Sequence, residues 1–365
     1  MQARPAALPQ CFRYFALFLL ATFLFPALNK AQEVSSTNPD QTVHLGVSKA
    51  DHAAAASTFG SFKHILTPKS RNGIRTAHSR HLLLVARPTV DNSSLVAPET
   101  TAQALPQPGY YPADVSDYQQ GPVVTEATNH PVYVNTVPGA LGNPGTLLRD
   151  LGKSEMVHVI DQYVGRTDDN RYRPGLGLLV PYPISGPLYD ADILAILHAA
   201  ASAFRRTGYH AVYHIFTAPG QDVCYEDPDT GLNCYSPDNT SVFTFCAYHD
   251  SVDFNDIGHV LYTVLPFQAV AQCQTGPPSP NGLVVDSTMD SLSHEFFETI
   301  TDPDANAWWN QNSADLNGDE IADECDLSST TYPVAILNGR KYELEGEYSN
   351  KYHGCSFVPR SLPLS

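Results

Sequence analysis

Between Ser291 and Pro303 the chain reads Ser-Leu-Ser-His-Glu-Phe-Phe-Glu-Thr-Ile-Thr-Asp-Pro, and its chemistry concentrates there. His294, Glu298 and Asp302 recur every four residues, so a helix stacks them on one face with Glu295 at the edge. Met289, Leu292, Phe296 and Ile300 form an apolar stripe opposite. Zinc takes imidazole nitrogen and carboxylate oxygen, and side chains one helical turn apart can share an ion. In the related His-Glu-x-x-His pattern the Glu acts as general base toward the water that zinc activates. Here Glu298 stands where the second His would be. The spacing therefore predicts His294 and Glu298 as zinc ligands and Glu295 as the base, with a third ligand from Asp302 or from His249 in Cys246-Ala-Tyr-His249. The same polar residues also describe a solvated helix face, the commoner meaning of such a pattern. His259 is a further candidate, although for it and for His249 a hydrogen-bonded structural histidine is the commoner reading. His210 and His214, which flank a strand, are weaker still.

A second constellation follows at Asp315-Leu-Asn317-Gly318-Asp319-Glu320-Ile-Ala-Asp323-Glu324-Cys325-Asp326. Asp and Asn at alternate positions around a Gly present hard oxygens to calcium, which makes Asp315, Asn317, Asp319 and Asp323 calcium candidates. With Asp315 as the first loop position, the pattern departs from an EF-hand twice. Glu320 stands at the sixth position, where Gly belongs, and the shorter Asp326 at the twelfth, where Glu belongs. A plain acidic turn leading into a disulfide is the alternative.

Other chemistries find no support. The chain shows neither a Gly-x-Ser-x-Gly elbow nor a Gly-x₄-Gly-Lys-Ser/Thr phosphate loop. Its 38 Asp+Glu against 21 Lys+Arg give a net charge of −17, and the clustered basic residues that phosphate contacts need are missing, so nucleic acid is not an expected partner. Seven Cys occur, one of them (Cys11) near the N-terminus. The other six, Cys224, Cys234, Cys246, Cys273, Cys325 and Cys355, read as disulfides in an exported chain. Sequential pairing is the simplest of the connectivities, and no C-x₂₋₄-C spacing suggests a zinc-thiolate site.

The N-terminus agrees with export. Arg4 and Arg13 precede the apolar run Tyr14–Leu28, broken by Pro26 and followed by Asn29-Lys30-Ala31. That is the form of a secretory signal peptide over residues 1–31, too short for a membrane span of about 20 apolar residues. No membrane span is expected once the signal is removed. Residues 32–120, rich in Ser, Thr, Ala and Pro, read as a mostly disordered low-complexity pro-region or spacer. Within them His78–Arg87 is one apolar patch, fit for a short strand or a docking segment. Residues 121–365 are left as the folded domain.

The elements that must position the candidate residues lie in that domain. Asp190–Arg206 reads as a helix with acids at its start and arginines at its end. Strands are expected at His130–Val137, Val212–Phe216, Val242–Tyr248 and His259–Leu265. Ser154–Tyr163 is a short helix or strand. The motif helix runs from about Ser287 to Thr301, ended by Pro303. Pro333–Leu337, Asn338-Gly339 and Lys341–Glu345 spell a hairpin with an Asn-Gly turn. The fold class is α+β (mixed α/β), a single domain with a central mixed sheet, the motif helix and a disulfide-stapled C-terminal hairpin.

Ser293-His294-Glu295…Glu298…Thr301-Asp302-Pro303…Ala307-Trp308…Asp319-Glu320-Ile321-Ala322-Asp323…Cys325, with Leu337–Tyr342 and Cys355, resembles the C-terminal region of the EXORDIUM / phosphate-induced protein 1 family. The form matched is that of bacterial relatives carrying His-Glu-x-x-Glu…Thr-Asp-Pro, often with a Cys-x-Tyr-His segment upstream. The resemblance spans residues 125–358 and is specific over 290–355. It implies an extracellular fold and strengthens the metal reading at His294, Glu298 and His249. Two functions follow as expectations. One is a secreted zinc-dependent hydrolase, peptidase-like, acting on a peptide or cell-envelope substrate. The other is a non-catalytic extracellular envelope or matrix protein of the EXORDIUM type.

Overall fold

The computed structural model describes residues 42–44, 81–84 and 116–357, apart from 184, 228–230, 240–241, 312–317 and 327–331. The expected signal peptide and most of the expected spacer therefore lie outside the described residues. Two short strands, β1 (Thr42–His44) and β2 (His81–Leu84), come from the stretch read as spacer, the second from within the apolar patch.

In chain order there follow β3 (Asp117–Tyr118), β4 (Ala127–Val134), helix α1 (Pro144–Leu151), a 3-10 turn at Glu155–Ile160 and helix α2 (Asp161–Val164). Next are β5 (Tyr172–Pro174), β6 (Gly177–Val180), α3 (Asp190–Phe204), β7 (Ala211–Phe216), β8 (Val223–Asp227) and β9 (Gly231–Tyr235). The long pair β10 (Phe245–Phe254) and β11 (Gly258–Leu265) leads to α4 (Leu283–Thr301) and β12 (Trp308–Trp309). The chain ends in α5 (Asp323–Asp326), β13 (Val334–Leu337), β14 (Arg340–Glu343), β15 (Glu347–Ser349) and β16 (Gly354–Ser356).

One mixed sheet organises these elements, in the order β1-β6-β4-β7-β11-β10-β2, with β5 also on β4. The pairs from β1 to β11 are parallel, while β10 runs antiparallel to both β11 and β2. Strand side chains alternate between faces, so each strand feeds two cores. Val212 and Phe216 of β7, Leu261 and Leu265 of β11 and Ala247 of β10 pack with Met289, Leu292, Phe296 and Ile300 of α4. The intervening Tyr213, Ile215, Val260, Tyr262 and Val264 pack with Ile193, Ile196, Leu197 and Ala200 of α3 on the other face. The apolar stripe expected on α4 is the one that meets the sheet.

Local chemistry explains the boundaries. At the start of α3, Asp192 accepts a hydrogen bond from the Tyr189 backbone N–H at 3.0 Å, and at its end Arg205 takes a left-handed conformation. Helix α4 begins four residues before the expected Ser287, because Asp286 accepts hydrogen bonds from both the backbone and side-chain nitrogens of Asn281, each at 2.7 Å. That carboxylate satisfies donors just ahead of the first turn. The Asn338-Gly339 turn between β13 and β14 has positive φ at both residues (48° and 81°), the form a tight hairpin demands.

Three disulfides, Cys224–Cys234, Cys246–Cys273 and Cys325–Cys355, close loops of increasing length, in the sequential order. The last joins α5 to β16. Among the described residues no helix is long and apolar enough to cross a membrane.

Candidate metal centre

Helix α4 is where sequence and structure part most sharply. Its polar face is not solvated: His294, Glu295, Glu298 and Asp302 are all wholly buried. The face also begins earlier than the motif, because Asp286 and Asp290 extend the four-residue repeat backward. These two acids act as acceptors for the C-terminal hairpin. Asp286 takes the backbone N–H of Glu343 at 3.3 Å, and Asp290 that of Glu345 at 2.8 Å. Four residues of helix rise about 6 Å and two residues of strand about 6.6 Å, so the repeats match and the hairpin lies along the helix.

That docking delivers Glu345 to the motif. Its Oε1 lies 2.6 Å from Nδ1 of His294. On the opposite side of the ring, Nε2 faces Glu298 Oε1 at 3.2 Å and Asp323 Oδ1 at 3.5 Å, and makes no hydrogen bond of good geometry to either. Asp323 is held in place by its own turn: its Oδ2 accepts the Glu320 N–H, and its backbone N–H donates to Glu298 Oε1, both at 3.2 Å. Ile321, beside it, accepts the backbone N–H of Tyr348, which ties this turn to β15.

The sheet supplies the second imidazole. His249 lies within β10, not at a strand end as the sequence suggested, because Val252 and Phe254 carry the alternation past Asp250 into the α3-side core. It shares the parity of Ala247 and so points at α4. Its Nδ1 is 3.2 Å from Glu295 Oε2 and 3.7 Å from Glu298 Oε2; its Nε2 is 3.6 Å from Glu320 Oε2 and 3.3 Å from the Asp302 carbonyl.

Two imidazoles thus face five carboxylates, Glu295, Glu298, Glu320, Asp323 and Glu345, and of these seven groups Asp323 alone has a side chain more than marginally open to solvent, at 13%. Burial of so much like charge perturbs four of these groups. Desolvation lifts Glu295 and Glu320 well above the usual carboxylate range, and neighbouring Glu298 adds to both. Burial also lifts Glu345, against the pull of His294. For His294 burial opposes the charged form, but Glu298 and Glu345 outweigh it and hold the ring protonated well above its ordinary range. Buried carboxylates without a matching cation cost several kcal/mol each, so this composition fits a bound divalent ion. The donor atoms are spaced for one. His249, Glu298 and Glu320, and separately His294, Glu298 and Asp323, each offer ligand atoms within 4.8 Å of one another.

The remaining sequence candidates fall elsewhere. Asp302 does not join either group: its Oδ1 accepts the backbone N–H groups of Asn306 at 2.6 Å and Ala307 at 2.5 Å, fixing the turn after the helix. Of the calcium candidates, Asp315 and Asn317 lie outside the described residues. Asp319 uses its carbonyl to accept the Asn310 N–H, and Asp323 turns to His294. His259 pairs with Asp253 at 2.9 Å and Asp304 at 3.1 Å. His214 is bonded between Thr263 and Asn129, and exposed His210 sits 4.0 Å from Glu126. The sequence reading overlooked Glu345 as a partner and Glu320 as a donor. Both left a trace. Glu343, Glu345 and Glu347 alternate through a strand-like stretch and all end buried, and Glu320 is the residue that broke the calcium-loop pattern.

Comparison of this chain with models of known protein families, with curated proteins and with solved structures finds no match.

Proposed function

We propose that this protein is an exported, metal-dependent hydrolase of the zincin-like kind, with zinc at His294, Glu298 and Asp323 and a peptide or envelope polymer as substrate. The observation that carries the reading is the buried Nε2 of His294, which faces two carboxylates at 3.2 and 3.5 Å on the helix that also bears Glu295. A divalent ion there supplies a Lewis acid that polarises a carbonyl and brings the pKa of a water to about 7. The protein's own residues do the rest. Glu345 holds His294 by its other nitrogen and fixes the ring's orientation. Glu295, whose carboxyl burial lifts well above the usual carboxylate range, serves as the base toward the attacking water. The three disulfides fit an oxidising compartment, and the likeness to EXORDIUM-type proteins supports an extracellular setting.

Metal analysis of the purified chain tests this. Zinc that disappears in His294→Ala supports the site, and a Glu295→Gln variant that keeps zinc but loses peptide cleavage separates base from ligand. Absence of any bound transition metal overturns the proposal. One observation favours a second reading: the donors are buried so completely that an ion could serve the fold without turnover, as in a non-catalytic matrix protein. Zinc binding with no hydrolysis of peptide or envelope substrates would decide for it.

A further inference from the structure

The two ligand groups are not independent, because both contain Glu298. We infer that this centre holds two divalent cations bridged by the Glu298 carboxylate, which deepens the metal reading above and rests on it. The two oxygens of Glu298 point to different imidazoles: Oε1 lies 3.2 Å from His294 Nε2, and Oε2 lies 3.7 Å from His249 Nδ1. A carboxylate placed between two nitrogen donors in this way suits an ion on each oxygen. Each position then has one imidazole and two carboxylates, His294 with Glu298 and Asp323, His249 with Glu298 and Glu320.

The spacings agree with shared ions. Zinc bonds to nitrogen and oxygen of about 2.0–2.2 Å in tetrahedral geometry put neighbouring donors roughly 3.3–3.6 Å apart. At His294 Nε2 the separations are 3.2 Å to Glu298 Oε1 and 3.5 Å to Asp323 Oδ1. At His249 they are 3.7 Å from Nδ1 to Glu298 Oε2 and 3.6 Å from Nε2 to Glu320 Oε2, with one ligand atom of each of these three residues within 4.8 Å of the others. A hydrogen-bonded cluster is the simpler alternative, but it brings the buried His294 Nε2 no closer than 3.2 Å to Glu298 and 3.5 Å to Asp323, whereas Nδ1 meets Glu345 at 2.6 Å. An ion at Nε2 would displace the proton that Glu298 and Asp323 hold there, while Glu345 keeps the one at Nδ1, the usual outer support of a metal-binding histidine. His249 meets acceptors at both nitrogens. The ion takes one, and the other keeps its partner, Glu295 behind Nδ1 or the Asp302 carbonyl behind Nε2.

Two cations also account for the charge. One ion leaves most of five carboxylates uncompensated in a buried site, whereas two bring four positive charges. The donors are one nitrogen and several oxygens per ion, the preference of zinc or manganese rather than of a soft metal.

The test uses the full exported chain, stripped with chelator and reloaded with Zn²⁺, and in parallel with Mn²⁺. Two zinc per chain are expected, falling to one in His294→Ala and to one in His249→Ala. In case these variants fail to fold, the Mn²⁺ form of the unaltered chain gives an independent readout by electron paramagnetic resonance. A spectrum of exchange-coupled manganese supports the bridge; two equivalents with only the six-line signal of isolated ions overturns it. One zinc per chain, lost in His294→Ala, overturns the second position and leaves the single-metal function standing. No bound metal removes both.

Discussion

Lowering the pH from 7 to 5 should weaken the fold through two histidines that belong to the sheet and not to the metal cluster. His130 is pushed from 6.5 to about 4 and His214 from 6.5 to about 3, in each case chiefly by burial. His130 stacks against Phe204 and Tyr213 and is hydrogen-bonded to the Leu176 carbonyl; His214 is bonded to Thr263 and Asn129. The sign follows from where the proton prefers to be. A ring whose folded pKa lies below its unfolded value is protonated first in the unfolded chain. Stability is therefore complete above about pH 6.5 and drains as pH falls from there toward the folded value. At pH 5 an unfolded imidazole is almost fully charged and the folded one is not, so each ring withdraws about 2 kcal/mol relative to pH 7, roughly 4 kcal/mol for the pair. That is a large share of a total stability of about 5–15 kcal/mol.

Burial raises the carboxyls of Glu295, Glu320 and Glu345, so their contribution to stability grows as pH falls and opposes that of the two histidines; the measurement is therefore a difference. Urea unfolding of the native chain and of His130→Phe, followed from pH 8 to pH 5, isolates one ring. The phenyl group keeps the stack on Phe204 and gives up the Leu176 hydrogen bond, a loss that does not vary with pH. The native chain should lose about 2 kcal/mol more than the variant between pH 7 and pH 5. Profiles that stay parallel within about 0.5 kcal/mol would refute the reasoning, since they would mean that His130 charges as easily in the fold as outside it.

Three further outcomes follow from other parts of the molecule. Replacing Cys325 and Cys355 by Ala opens a 30-residue separation and should cost about 3–4 kcal/mol in denaturant unfolding; because Asp323 lies two residues from Cys325, zinc affinity should fall as well. Asp150→Ala removes the acceptor of the Tyr342 hydroxyl (2.8 Å) and of Arg340 (3.0 Å), and thermal unfolding should show a loss of about 2 kcal/mol, most of it from the stranded buried hydroxyl because Arg340 is half-exposed. Chelation should lower the melting temperature of the metal-loaded chain, by an amount equivalent to about 2.7 kcal/mol where free zinc had been 100 times its Kd, and scanning calorimetry with and without chelator measures it.

The local elements are legible in the chain alone, because the forces that form them act over a few residues. The β-branched and aromatic runs Val212–Phe216 and His259–Leu265, the four-residue repeat in the motif helix, the Pro303 stop and the Asn338-Gly339 turn are short-range signals, and the fold uses each of them. The order of the six cysteines from Cys224 onward was enough to suggest the pairing the structure adopts. What lay beyond the sequence was the identity of neighbours brought from far along the chain. Whether the polar face of the motif helix meets water or protein depends on what packs over it, and nothing within the helix encodes that. Only the tertiary structure brings His249 from the sheet to Glu295 and Glu298, and sets Glu345, 51 residues beyond His294, against that ring. The break at Glu320 and the alternating Glu343, Glu345 and Glu347 were visible as oddities. Their meaning depended on burial, which turns an acidic run from a solvated surface into a demand for cations.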